Sequence, residues 1–164
     1  MVYDYYYKLS KKQQAVYRRS DGIERVRLTV PSEFKVNIVS LEQALKSEDR
    51  DAAEDVSIKI IDALVADTGA PASRTRVLTV RPSSNWGELH GLYEPEDGVQ
   101  SACITVWMRT VKHKRVVAFR TFLRTLLHEF CHHLDYELFK FEDSYHTEGF
   151  FKRESSLFKQ LVRD

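Results

Sequence analysis

Residues 126–136 read Leu-Leu-His-Glu-Phe-Cys-His-His-Leu-Asp-Tyr, a His-Glu-x-x-His pattern inside an apolar, helix-forming run. No other stretch restricts the chain so strongly. A helical turn takes about 3.6 residues, so His128 and His132 leave the same face, roughly 6 Å apart along the axis. Two neutral imidazoles placed that way can reach a single Zn²⁺. Glu129, beside the first of them, stands where it can take a proton from water activated by the ion. The plainer reading is a solvated polar stripe on an ordinary helix, and the flanks argue against it. Phe119, Phe122, Leu123, Leu126, Leu127, Phe130, Leu134 and Leu138 recur at helical spacing, which predicts one amphipathic, largely buried helix over about 115–139. A glutamate and two histidines in so apolar a helix are costly unless partners satisfy them. A metal ion at the mouth of a cleft would satisfy both imidazoles.

With 164 residues, 43% of them apolar, the chain can bury a core of its own, which predicts one domain over 1–164. Within it, 1–22 is an aromatic and basic helical segment and 115–162 is the metal-binding helical part. The formal charge of +1 exerts no strong pull toward nucleic acid or acidic membranes. No run reaches the length of a membrane span and the first residues lack a signal-peptide core, so a cytoplasmic location is expected. In a reducing compartment Cys103 and Cys131 stay unpaired. Cys131 sits about a third of a turn from His132 and reads as a small buried residue, not a ligand.

Ser10 is a plausible N-cap for a helix that Asp21-Gly22 ends, and the tyrosines before it read as a packing clasp, with a lid over the cleft as the alternative. Residues 23–30 alternate apolar and polar, which predicts a half-buried strand stopping at Pro31. Ser40-Leu41-Glu42-Gln43 has capping-box form and predicts a helix start, with a restart near Ser47 and a stop at Gly69-Ala70-Pro71. The acidic residues Glu48, Asp49, Asp51, Glu54 and Asp55 read as its solvated face. Three strands follow: 76–81, then an edge strand over 86–93 with two glycines, then a central strand over 102–108. Residues 112–115 form a short basic loop. After the metal helix, 141–145 is a connector and 147–162 a closing helix with Phe150, Phe151, Leu157, Phe158 and Leu161 inward. These are the parts of a minimal α+β metallopeptidase with a small mixed sheet.

A catalytic zinc takes three protein ligands and keeps one open position, so a third ligand must come from outside the metal helix. His146, fourteen positions after His132, is the first choice. Glu154 is the alternative, since a carboxylate on the apolar face of the closing helix needs either ligation or a bond to a ligating histidine. Asp135 reads as orienting His132 or capping the helix end, and His133 points about 100° away from His132.

Residues 126–132, followed by His146-Thr147-Glu148-Gly149-Phe150, resemble the SprT-like zinc metallopeptidases, whose pattern is His-Glu-x-x-His and then a histidine with a phenylalanine four positions later. The similarity is specific over 119–161 and architectural before that. It implies a zincin-like fold, Zn²⁺ held by His128, His132 and His146, and Glu129 as general base. The family has glycine directly after the third histidine, whereas Thr147 stands here and the glycine is Gly149. These 164 residues contain no zinc ribbon, so the family's DNA-linked roles are not expected of them. The minigluzincins, with a glutamate as third ligand, are the nearest alternative and would select Glu154.

The expected function is peptide-bond hydrolysis in a peptide or unfolded-protein substrate, with Zn²⁺ as cofactor and Glu129 moving the proton. The edge strand over 86–93 is expected to pair with an extended substrate, and Tyr145 or His90 to stabilise the oxyanion. The rivals are a zinc protein in which the metal only pins helices together, and a zinc hydrolase of non-peptide substrates.

Overall fold

The computed structural model describes residues 1–162. After a 3₁₀ turn at Asp4–Lys8 come α1 (Lys11–Asp21), α2 (Lys35–Lys46), α3 (Arg50–Thr68), β1 (Arg74–Val80), β2 (Ser83–Ser84), β3 (Gly87–Glu88), β4 (Gly91–Glu94), β5 (Cys103–Arg109), α4 (Phe119–Glu137) and α5 (Glu148–Leu161). The architecture is α+β, as the sequence predicts. A three-stranded mixed sheet has the order β1-β5-β4, with β1 parallel and β4 antiparallel to β5. β2 and β3 form a separate small ribbon. One continuous core joins Leu41 of α2, Ile60 and Leu64 of α3, Ile104 and Val106 of β5, Leu126 and Phe130 of α4, and Phe150 and Leu157 of α5. Every residue of β5 from Cys103 to Met108 is buried, so elements cover both faces of the central strand. No helix among the described residues is long and apolar enough to cross a membrane.

Local signals explain several boundaries. Ser10 and Gln13 form the reciprocal capping box that starts α1. Asp49 accepts the Ala52 N–H to start α3, and Gly69, at φ 80°, closes that helix in the left-handed conformation that lacks a Cβ penalty. Thr147 caps α5 by accepting from Phe150 N–H.

Three expectations fail. The capping-box string at Ser40 lies inside α2, which starts earlier at Lys35, after Pro31–Phe34 forms a 3₁₀ turn. Residues 23–30 form no strand and pair with none. Val26 and Leu28 are buried as the alternation predicts, yet their backbone is satisfied by a side chain. Gln160 Oε1 accepts from Leu28 N–H at 2.9 Å, and Gln160 Nε2 donates to the Val26 carbonyl at 2.7 Å. The edge strand over 86–93 is split, with His90 between β3 and β4.

The sheet has two unlike edges. In β1, Val77 N–H donates to Glu54 Oε2 at 3.0 Å, and Arg50 Nη1 donates to the Val77 carbonyl at 2.5 Å. Glu54, expected on a solvated acidic face, thus helps to close this edge against further pairing. β4 is the other edge, and it borders the cavity described next.

Candidate metal centre

His128 and His132 project from α4, one turn apart, and His146 reaches them from the connector between α4 and α5. The His146 Nε2 atom lies 3.1 Å from that of His128 and 3.0 Å from that of His132. The fully buried Phe150 ring packs against all three imidazoles, with centroids 5.0, 4.8 and 5.2 Å from His128, His132 and His146. It fixes their spacing from one side. The other side opens on a cavity of about 560 Å³.

The outer ring nitrogens decide where the protons go. His128 Nδ1 lies 2.7 Å from Glu154 Oε1, and an ionised carboxylate only accepts, so that nitrogen carries the hydrogen. Ser144 Oγ donates to Asp135 Oδ2 at 2.7 Å and therefore accepts from His132 Nδ1, also at 2.7 Å. Both Nε2 atoms consequently present lone pairs. One proton on His146 Nε2 can serve only one of its two neighbours, which leaves at least one close pair of lone pairs facing each other. A shared cation removes that repulsion. Imidazole nitrogens around one tetrahedral Zn²⁺ stand ~3.3 Å apart, close to the spacing here. The donor set therefore fits a zinc-type ion.

Burial, with His128 and His146 beside it, pushes the His132 imidazole down to about 3, and burial likewise lowers His146. Neutral rings are the form that binds metal. Glu129 is 6% exposed and faces the cavity with no hydrogen-bond partner among the described residues. Burial raises its carboxyl to about 7, with His128 opposing the shift and Glu154 adding to it. Gly91 of β4 makes room for this side chain. A Cβ there would lie 2.7 Å from Thr125 Cγ2 and 3.0 Å from Glu129 Cγ.

Glu154, the alternative third ligand, sits behind His128, with Arg124 Nη1 3.6 Å from its second oxygen. Asp135 orients His132 through Ser144, and its other oxygen accepts from Arg153 Nη2 at 3.0 Å. Burial raises the Asp135 carboxyl to about 6 against the pull of this guanidinium. Arg153 and Asp135 are both fully buried, and Arg153 also donates to the Ser20 and Ile23 carbonyls at 2.5 and 2.6 Å. Removing one partner of a buried pair strands the other charge, so Arg153→Met is expected to lower unfolding stability by about 3–5 kcal/mol. Denaturant unfolding of the two proteins measures it.

His133 turns away from the cluster, as its angle on the helix predicts. Its Nε2 donates to the Pro71 carbonyl at 2.7 Å, and Nδ1 accepts from Tyr93 at 2.8 Å. Cys131 is buried, with its thiol pushed well up by burial. Tyr145 does not line the cavity, contrary to its expected oxyanion role; its ring packs on Tyr5 and Tyr17 with centroids 6.4 and 6.1 Å away. His90 does line it, together with Tyr93, Arg124 and Tyr136, which sequence reasoning missed. Arg124 and Tyr136 stand four residues before His128 and four after His132, a helical spacing that could have marked them. Ser144 and Arg153 had no such signal. Comparison with protein-family models, curated proteins and solved structures finds no match to this chain.

Proposed function

We propose that this chain is a zinc-dependent metallopeptidase, resembling the SprT-like peptidases, that hydrolyses peptide bonds in extended or unfolded polypeptide. His128, His132 and His146 hold the ion and Glu129 is the general base. One observation carries the reading: a buried carboxyl group with no hydrogen-bond partner among the described residues stands beside three converging imidazoles and faces a cavity. A metal that merely pins helices together has no use for that carboxylate, whose burial is costly. A Zn²⁺ held by His128, His132 and His146 would supply Lewis acidity, lowering the pKa of water and polarising a carbonyl. Glu129 would take the proton from the water and pass it to the leaving amine, the task of a carboxylate placed beside the ion and facing the cavity. Glu154 and the Asp135–Ser144 pair keep the rings turned with their lone pairs inward. The unpaired edge of β4 offers backbone groups to an extended substrate, and Gly91 lets that strand lie close to Glu129. His90 remains as the donor to the oxygen that gains charge.

Zinc-loaded protein is expected to cleave a denatured polypeptide or a pool of quenched fluorescent peptides. Chelation should abolish cleavage and one equivalent of Zn²⁺ should restore it. Full zinc occupancy with no cleavage of either substrate would sink the proposal.

A further inference from the structure

We propose that Tyr5 is a positioning residue that sets the backbone at His146, so that docking of the N-terminal segment on the connector and metal binding reinforce each other. The inference rests on the metal reading of the three-histidine cluster. His146 differs from the other two rings in its support. His128 and His132 stand on α4, where helical hydrogen bonds hold them. His146 lies between helices and is exposed, so it reaches the cluster only if the connector is held from outside.

The N-terminal segment provides that hold at successive points. Arg19 Nη2 meets Glu142 Oε2 at 2.6 Å. The Tyr145 ring packs on Tyr5 and on Tyr17, which is fully buried and accepts from Tyr3 N–H at 2.9 Å. The Tyr5 hydroxyl donates to the His146 carbonyl at 2.9 Å. Ser20 Oγ lies 3.2 Å from Thr147 Oγ1, and Asp21 Oδ1 accepts from Gly149 N–H at 2.9 Å. Gly149 lies so close that a Cβ would stand 2.4 Å from the Asp21 carbonyl oxygen, so the glycine is what lets the two segments meet. None of residues 1–21 lines the cavity. The tyrosines act as a clasp beneath the third histidine and do not cover the cleft. Two events that each favour the same arrangement of one connector are linked, and the linkage is reciprocal.

Tyr5→Phe removes the hydroxyl and keeps the ring. Co²⁺ serves as the probe, because its visible absorption reports both affinity and ligand geometry. Tyr5→Phe is expected to weaken Co²⁺ binding by about tenfold, the scale for losing a group that orients a ligand, and to alter the absorption band. Tyr6→Phe is the control, since the Tyr6 hydroxyl is held by Arg18 within the segment itself. It should match the unsubstituted protein. Metal addition should also slow hydrogen exchange of the 3–9 amides, and His146→Ala should remove that effect. Wild-type affinity in Tyr5→Phe, an equal loss in Tyr6→Phe, or exchange at 3–9 indifferent to metal would overturn the inference while leaving the metal site standing. No Co²⁺ uptake by the unsubstituted protein would bring down both.

Discussion

Glu129→Gln is expected to keep the fold and the zinc while lowering peptide hydrolysis by about a hundred- to ten-thousand-fold, the range that general-base catalysis supplies. The substitution preserves the shape of a side chain wedged between α4 and Gly91 and removes only its capacity to accept a proton. Elemental analysis and steady-state rates on one preparation separate the two effects. The amide needs no desolvated charge, so the variant is also expected to be at least as stable as the parent. Unchanged turnover would deprive Glu129 of its role. A stabilised variant alongside a fully loaded but inert parent would favour a purely structural zinc.

The second large effect separates the two candidates for third ligand. His146→Ala removes one of the three converging nitrogens and is expected to cost most of the zinc after dialysis. His128→Ala with His132→Ala should leave none. Glu154→Gln replaces the acceptor of His128 Nδ1 by an amide oxygen and should weaken binding by only about tenfold. The reverse ranking would select the glutamate arrangement of the minigluzincins. Stoichiometric zinc in the double histidine variant would remove the basis for any metal centre on α4.

Much of this site was legible in one dimension. The apolar spacing from Phe119 to Leu138 predicts α4, and a four-residue interval on a helix puts His128 and His132 on one face whatever surrounds them. The same holds for β5, whose apolar run marks a strand covered on both sides, and for α5, whose inward residues recur at helical intervals. The sign of the error at Ser40 is instructive. A capping string is only a local preference, and burial of Ile38, Leu41 and Leu45 carries the helix through it.

What the sequence determines by itself is therefore what depends on neighbours a few residues away: the helices, the central strand, and the pair of imidazoles beside Glu129. Only the tertiary structure decides the rest, because the deciding partners lie far off along the chain. Residues 23–30 have the alternation of a strand, but Gln160, 132 positions beyond Leu28, takes the bonds that a neighbouring strand would have made. Glu154 and His146 were both reasonable ligands on paper. The folded connector brings His146 Nε2 to within 3.1 Å of its fellow nitrogens, while the turn of α5 puts Glu154 behind His128. The connector is shaped by residues such as Tyr5, 141 positions away, and by Arg153 bridging Ser20 and Asp135. No periodicity records such contacts. They exist because the charges of Arg153 and Asp135, buried together, need partners, and those partners come together only once the chain has closed on itself.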